Sequence, residues 1–142
     1  MNHKAVKSAI KLMQKVKEKN LLLDMGSYRC TEQPKTIKSI RSIEHDCGTT
    51  HCLAGYIALS PDFKKFGGKV EFSGVPYIES LGIFIGGVAA ITKYFDIEEK
   101  EYNGLCCGYG RGEYYYGVSH VSEITIDMVI DKLEQLLIKY KD

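Results

Sequence analysis

The chain has 142 residues, 44% hydrophobic and 26% charged, with a formal net charge of +1, the profile of one soluble domain with a real core. Its longest apolar stretch, "SLGIFIGGVAAIT", is Gly-rich and about half the length a bilayer span needs, and its N-terminus is too charged for a secretory leader. The near-zero net charge hides an asymmetry: residues 1–45 carry ten Lys/Arg against four Asp/Glu, and residues 46–142 carry nine against fourteen.

In chain order, residues 4–19 place Ala5, Val6, Ala9, Ile10, Leu12, Met13 and Val16 at helical spacing, which predicts an amphipathic helix. "LLLDMGSYRC" (21–30) breaks that period and fits a short buried strand or turn, with Gly26 as punctuation. Residues 31–43 fit a loop or a single-faced helix. Residues 49–59 read as a short apolar helix. Thr49 or Thr50 is its cap, and Cys52, Leu53, Tyr56, Ile57 and Leu59 are its buried stripe. Ser60-Pro61-Asp62 is a second start signal: a cap, a proline suited to the first helical position, and an acid at the positive helix end.

"GGKVEFSGVPYI" (67–78) predicts a short hairpin or an irregular β arm. A helix is expected over 87–97 and another over 98–107, weakened by Gly104. "GYGRGEYYYGV" (108–118) is expected as a loop or edge hairpin. The last helix is capped by Thr125 and buries Ile126, Val129, Ile130, Leu133, Leu136, Leu137 and Tyr140. The sum is a mostly α or α+β single domain over residues 1–142, with about five helices and a small hairpin.

"HDCGTTHCLAG" (45–55) concentrates chemistry-bearing side chains and admits three readings. Structural zinc wants two close ligand pairs. Cys47 and Cys52 make a loose first pair, adjacent Cys106 and Cys107 do not make a second, and Cys30, His45 and His51 have no partner at tight spacing. No metal or cofactor is therefore expected. A thiol nucleophile is the second reading. Cys47 stands at a helix N-terminus, where the dipole and free amides lower a thiol pKa. His51, His45 or His120 would be the base and Asp46 or Asp24 would orient it. In the third and preferred reading the segment is a packing device. Gly48 makes the turn, Thr49 caps, and Cys52, Ala54 and Gly55 let a neighbouring helix approach closely. With five cysteines and no export signal, reduced thiols in a cytoplasmic protein are expected.

Residues 47–55, "CGTTHCLAG", resemble a Cys-Gly-Thr-x-x-Cys-x-Ala-Gly motif of small proteins from tailed bacteriophages and phage-derived regions of bacterial genomes, mostly of unassigned function. The likeness extends to Leu23-Asp24-Met25 with Tyr28, to "KEYNGLCC", and to the helix begun by Thr125. It touches about a third of the chain. Tyr56 stands where that group has Trp or His, and the Gly/Tyr-rich 108–118 segment is a further departure. The resemblance implies a phage accessory protein that binds a host protein, redirecting host machinery or blocking a defence system.

Two other features bear on binding. Arg111, Tyr114, Tyr115 and Tyr116 form a candidate protein-recognition loop, since Tyr and Arg are enriched at interfaces. Alternatively the tyrosines of a hairpin pack on the core. Lys4, Lys7, Lys11 and Lys15 recur at i, i+3, i+7 and i+11 and form one helical stripe. Such a stripe is usually a solvated face but is also able to meet phosphates. No phosphate-loop pattern or nucleic-acid fold signature accompanies it. Binding a host or phage protein without catalysis is the leading expectation. A Cys47-dependent enzyme and a nucleic-acid binder are the alternatives, and no membrane partner is expected.

Overall fold

A computed structural model describes residues 1–23, 50–51, 53–70, 76–80, 83–86, 88–106 and 113–141. The first helix, α1 (His3–Glu18), is held at both ends by asparagine. The Asn2 carboxamide oxygen accepts from Ala5 N–H at 3.1 Å and caps the N-terminus. Asn20 adopts a left-handed φ of 53° after the last turn, and Leu21 N–H returns to the Val16 carbonyl at 3.0 Å, a Schellman closure. Ala5, Val6, Ala9, Ile10, Met13 and Val16 are buried as the periodicity predicts, and Leu12 is half-buried.

A short strand, β1 (Leu22–Leu23), follows and pairs in parallel with β2 (Thr50–His51). The helix expected from residue 49 therefore starts later, as α2 (Leu53–Leu59), because Thr50 and His51 give their backbone to the strand pair. Every residue of α2 is buried, Ala54 and Gly55 included. A helix apolar all round belongs in the centre of a fold, and α2 touches α1 and the small sheet at once. Ser60 starts α3 (Pro61–Lys65) as expected: its hydroxyl accepts from Phe63 N–H at 3.3 Å.

The predicted hairpin is a three-stranded antiparallel sheet, β3 (Gly68–Val70), β4 (Pro76–Ser80) and β5 (Ile83–Gly86), with β4 in the middle. The third strand lies in the apolar stretch that gave no alternation to read. On β4, Ile78 faces the core, while Tyr77 and Glu79 point outward, Tyr77 stacking on Phe84 at 5.0 Å between ring centroids. Gly68 is required where it stands, because a Cβ there would lie 2.3 Å from the buried Phe63 ring.

Next come α4 (Val88–Phe95) and α5 (Glu99–Cys106), both expected. Asp96 closes α4 in the left-handed region at φ 54°. Residues 113–116 depart from the sequence reading: they form a helical turn, α6 (Glu113–Tyr116), not a loop or hairpin. Tyr116 is the reason. Its ring is buried and its hydroxyl donates to the Leu105 carbonyl at 2.7 Å. Gly104 on α5 is bare so that Tyr115 can lie against it, a Cβ there falling 2.4 Å from the ring.

After a 3₁₀ turn at Val121–Glu123, α7 (Ile126–Lys139) begins at Thr125, whose hydroxyl accepts from Met128 N–H at 3.2 Å. Of its expected stripe, Val129, Leu133 and Leu136 are buried, and Ile126, Ile130, Leu137 and Tyr140 are half-buried. It runs antiparallel to α1, as two contacts at opposite ends show. Lys17 Nζ meets Asp127 at 2.7 Å, and a His3 ring nitrogen meets the Tyr140 carbonyl at 2.9 Å. The result is a mostly α fold, with seven α-helices, the parallel β1–β2 pair and one three-stranded sheet among the described residues. No helix among them is long and apolar enough to cross a membrane.

Candidate functional site

The lysines of α1 are brought to the edge of a groove. Lys4, Lys7, Lys11 and Lys15 point away from the buried face, within about 80° of arc and along about 16 Å of helix. The facing wall is the corner between α2 and α3. Ser60, Pro61 and Asp62 stand there, and Ser60 donates its hydroxyl to the Ile57 carbonyl at 2.7 Å. Between the walls is an open cavity of about 700 Å³, with Leu12 and Pro61 as apolar surface beside the four lysines. That volume lies in the range of ligand clefts.

One polar tie spans the groove. Ser8 on α1 donates its hydroxyl to the Asp62 carboxylate. Asp62 also lies in the first turn of α3, where a negative charge is favourable. Among the described residues Lys4, Lys7 and Lys11 form no ion pair, so their charge is available to an occupant.

A second recess of about 210 Å³ shares Lys4, Ser8 and Asp62 with the groove and adds Lys65, Phe66 and Tyr94. Tyr94 stands edge-on to Phe63 and to Phe66, each at 5.2 Å between centroids. Phe66 is 41% exposed, a large apolar ring facing water at the recess. Burial, with the nearby Asp62 charge adding to it, pushes the Tyr94 hydroxyl above its ordinary pKa, while a hydrogen bond with Ser8 opposes the shift. The site offers ammonium groups in a row, one tied carboxylate, and a small aromatic recess at one end.

The other expected site residues are scattered. Tyr114, Tyr115 and Tyr116 do not make one exposed patch. Tyr114 is 91% exposed, Tyr115 packs under Lys132 at 5.0 Å, and Tyr116 is core. Cys47, His45, Gly48, Thr49, Cys52 and Arg111, with Asp24 and Asp46, lie outside the described residues, and of His51 only the strand backbone is described. His120 is engaged locally: its Nδ1 accepts from Ser122 N–H at 3.2 Å. Among the described residues no three metal-ligating side chains converge.

Sequence reasoning singled out the lysine row but missed Ser8, Asp62, Phe66 and Tyr94. Asp62 carried a signal only as a helix-start residue. Its second role depends on α1, 54 positions earlier in the chain. Compared with protein families, with curated proteins and with solved structures, the chain matches none.

Proposed function

We propose that the chain is a phage-type accessory protein of the host cytoplasm that acts by binding a host or partner protein, with inhibition of a host defence process as the outcome. The observation that carries the binding reading is the groove along α1. It combines Lys4, Lys7 and Lys11, which form no ion pair among the described residues, with apolar surface at Leu12 and Pro61. Apolar surface rimmed by charge is the make-up of a protein-docking site. The "CGTTHCLAG" resemblance supports the phage-type provenance.

The test is a comparative pull-down. Tagged wild-type protein and a Lys7→Glu/Lys11→Glu variant are offered the same bacterial lysate, at about 50 and about 200 mM salt. A partner retained by the wild type, weakened by salt and lost by the variant, is the expected result. Equal retention by both baits removes the groove from the account.

A nucleic-acid reading rests on the same lysine row. It is the weaker one because Asp62 puts a carboxylate inside the groove, where a phosphate backbone would pass.

A further inference from the structure

We infer that the groove takes an acidic amphipathic helix of the partner, with one large apolar side chain seated in the Phe66–Tyr94 recess; this rests on reading the groove as a protein-docking face. The first argument is pitch. The four lysines rise along α1 by about 4.5, 6 and 6 Å. A second helix lying alongside has the same rise per residue. On a parallel helix, carboxylates at i, i+3 and i+7 therefore meet the Lys4, Lys7 and Lys11 ammonium groups in register.

The second argument is the composition of the walls. A phosphate backbone laid along the groove gains nothing from Leu12 and Pro61 and meets repulsion at Asp62. An amphipathic helix places its apolar stripe on Leu12 and Pro61 and confines its acidic edge to the α1 lysines, across the groove from Asp62. The third argument is size. The recess of about 210 Å³ has room for one large side chain, beside an aromatic ring already facing water. Apolar anchors in such pockets dominate interface energetics.

The experiment is a titration by fluorescence anisotropy. The probe is a helical peptide of about 14 residues carrying Glu at i, i+3, i+7 and i+11 and Leu and Trp on the adjoining stripe. Wild-type protein is expected to bind it with micromolar Kd, more tightly at about 50 than at about 200 mM salt. Lys7→Glu/Lys11→Glu should weaken binding by about tenfold or more, and a peptide with Lys replacing the two facing Glu residues should regain it on that variant. Phe66→Ala should weaken the wild-type peptide without changing the salt dependence. All three side chains, Lys7, Lys11 and Phe66, are exposed, and a thermal melt of each variant confirms the fold.

Peptide affinity indifferent to the charge reversal overturns the inference. So does tighter binding of an oligothymidine of about the same length in the same assay. If the peptide fails while the pull-down still loses its partner with the variant bait, the helical occupant is wrong and the groove reading stands. If the variant bait keeps every partner, the groove reading itself is wrong.

Discussion

Three consecutive tyrosines end up in three environments, and single substitutions should separate them. Tyr116 is buried and donates its hydroxyl to Leu105, so Tyr116→Ala should cost about 3–5 kcal/mol in urea unfolding. Tyr116→Phe keeps the packing and loses the hydrogen bond, which puts it near 1 kcal/mol. Tyr114→Ala should stay within about 0.5 kcal/mol, because its ring is almost fully in water. A Tyr116→Ala protein as stable as the wild type would show that α6 does not dock on α5. Glycine is decided in the same way. At Gly68 an added methyl meets the Phe63 ring in the core, so Gly68→Ala should destabilise by about 1–3 kcal/mol. At Gly104 the clash is with half-buried Tyr115, and the helical gain of about 1 kcal/mol for alanine offsets part of it. Gly68→Ala should therefore be the more damaging of the two in the same unfolding assay.

At the scale of elements, α1 and α7 are the longest helices among the described residues, and each has a side-chain cap whose removal is measurable. Thr125→Ala should cost about 1 kcal/mol, since it leaves Met128 N–H without its acceptor. Asn2→Ala should cost more than Thr125→Ala, because Asn2 also donates its side-chain amide to the Tyr94 carbonyl at 3.0 Å and so ties α1 to α4. Chemical denaturation of the two variants side by side checks the order. The end of α7 is clasped to α5. Glu101 is nearly buried, and it accepts from Lys139 Nζ at 2.8 Å and from the Tyr140 hydroxyl. The hydrogen bond to Glu101 raises the pKa of the Tyr140 hydroxyl, with burial adding to it, and the same carboxylate raises the Lys139 ammonium. Both groups are more easily protonated folded than unfolded. Their contribution to stability is complete below the unfolded pKa values, near 10, and is lost as pH rises through the folded ones.

For the molecule as a whole, that linkage predicts a melting temperature that falls as pH rises above about 10. Tyr94 adds to the effect, because burial likewise raises its pKa. Glu101→Gln should lower stability at neutral pH and flatten the alkaline fall. An alkaline slope unchanged in Glu101→Gln would remove the clasp from the explanation. The charge distribution works at the same scale. The basic half of the chain places Lys4, Lys7 and Lys11 at the groove with no ion pair among the described residues, although the acidic half supplies Asp127 to Lys17 and Glu101 to the far helix end. Salt should therefore affect the proposed partner binding more than folding, since exposed ion pairs contribute about 0–1 kcal/mol each to stability.

Much of the architecture was legible in the residues themselves. α1, α3, α4, α5 and α7 announce themselves by apolar spacing and by Ser60, Pro61 and Thr125, because caps and periodicity act within one or two turns of the chain. The mostly α or α+β class followed from that. β2, β5 and α6 were not legible. Thr50–His51 is a strand because Leu22–Leu23 lies beside it, Ile83–Gly86 because β4 pairs with it, and Glu113–Tyr116 a helical turn because Tyr116 finds a pocket at Leu105. The candidate site divides along the same line. The lysine stripe is a property of one helix and was read directly from its spacing. The groove depends on Ser8 meeting Asp62 and on Phe66 meeting Tyr94, contacts between segments far apart in the chain. Local chemistry determines which face of a helix is charged, whereas only the packing of distant segments decides whether that face borders open water or a cleft.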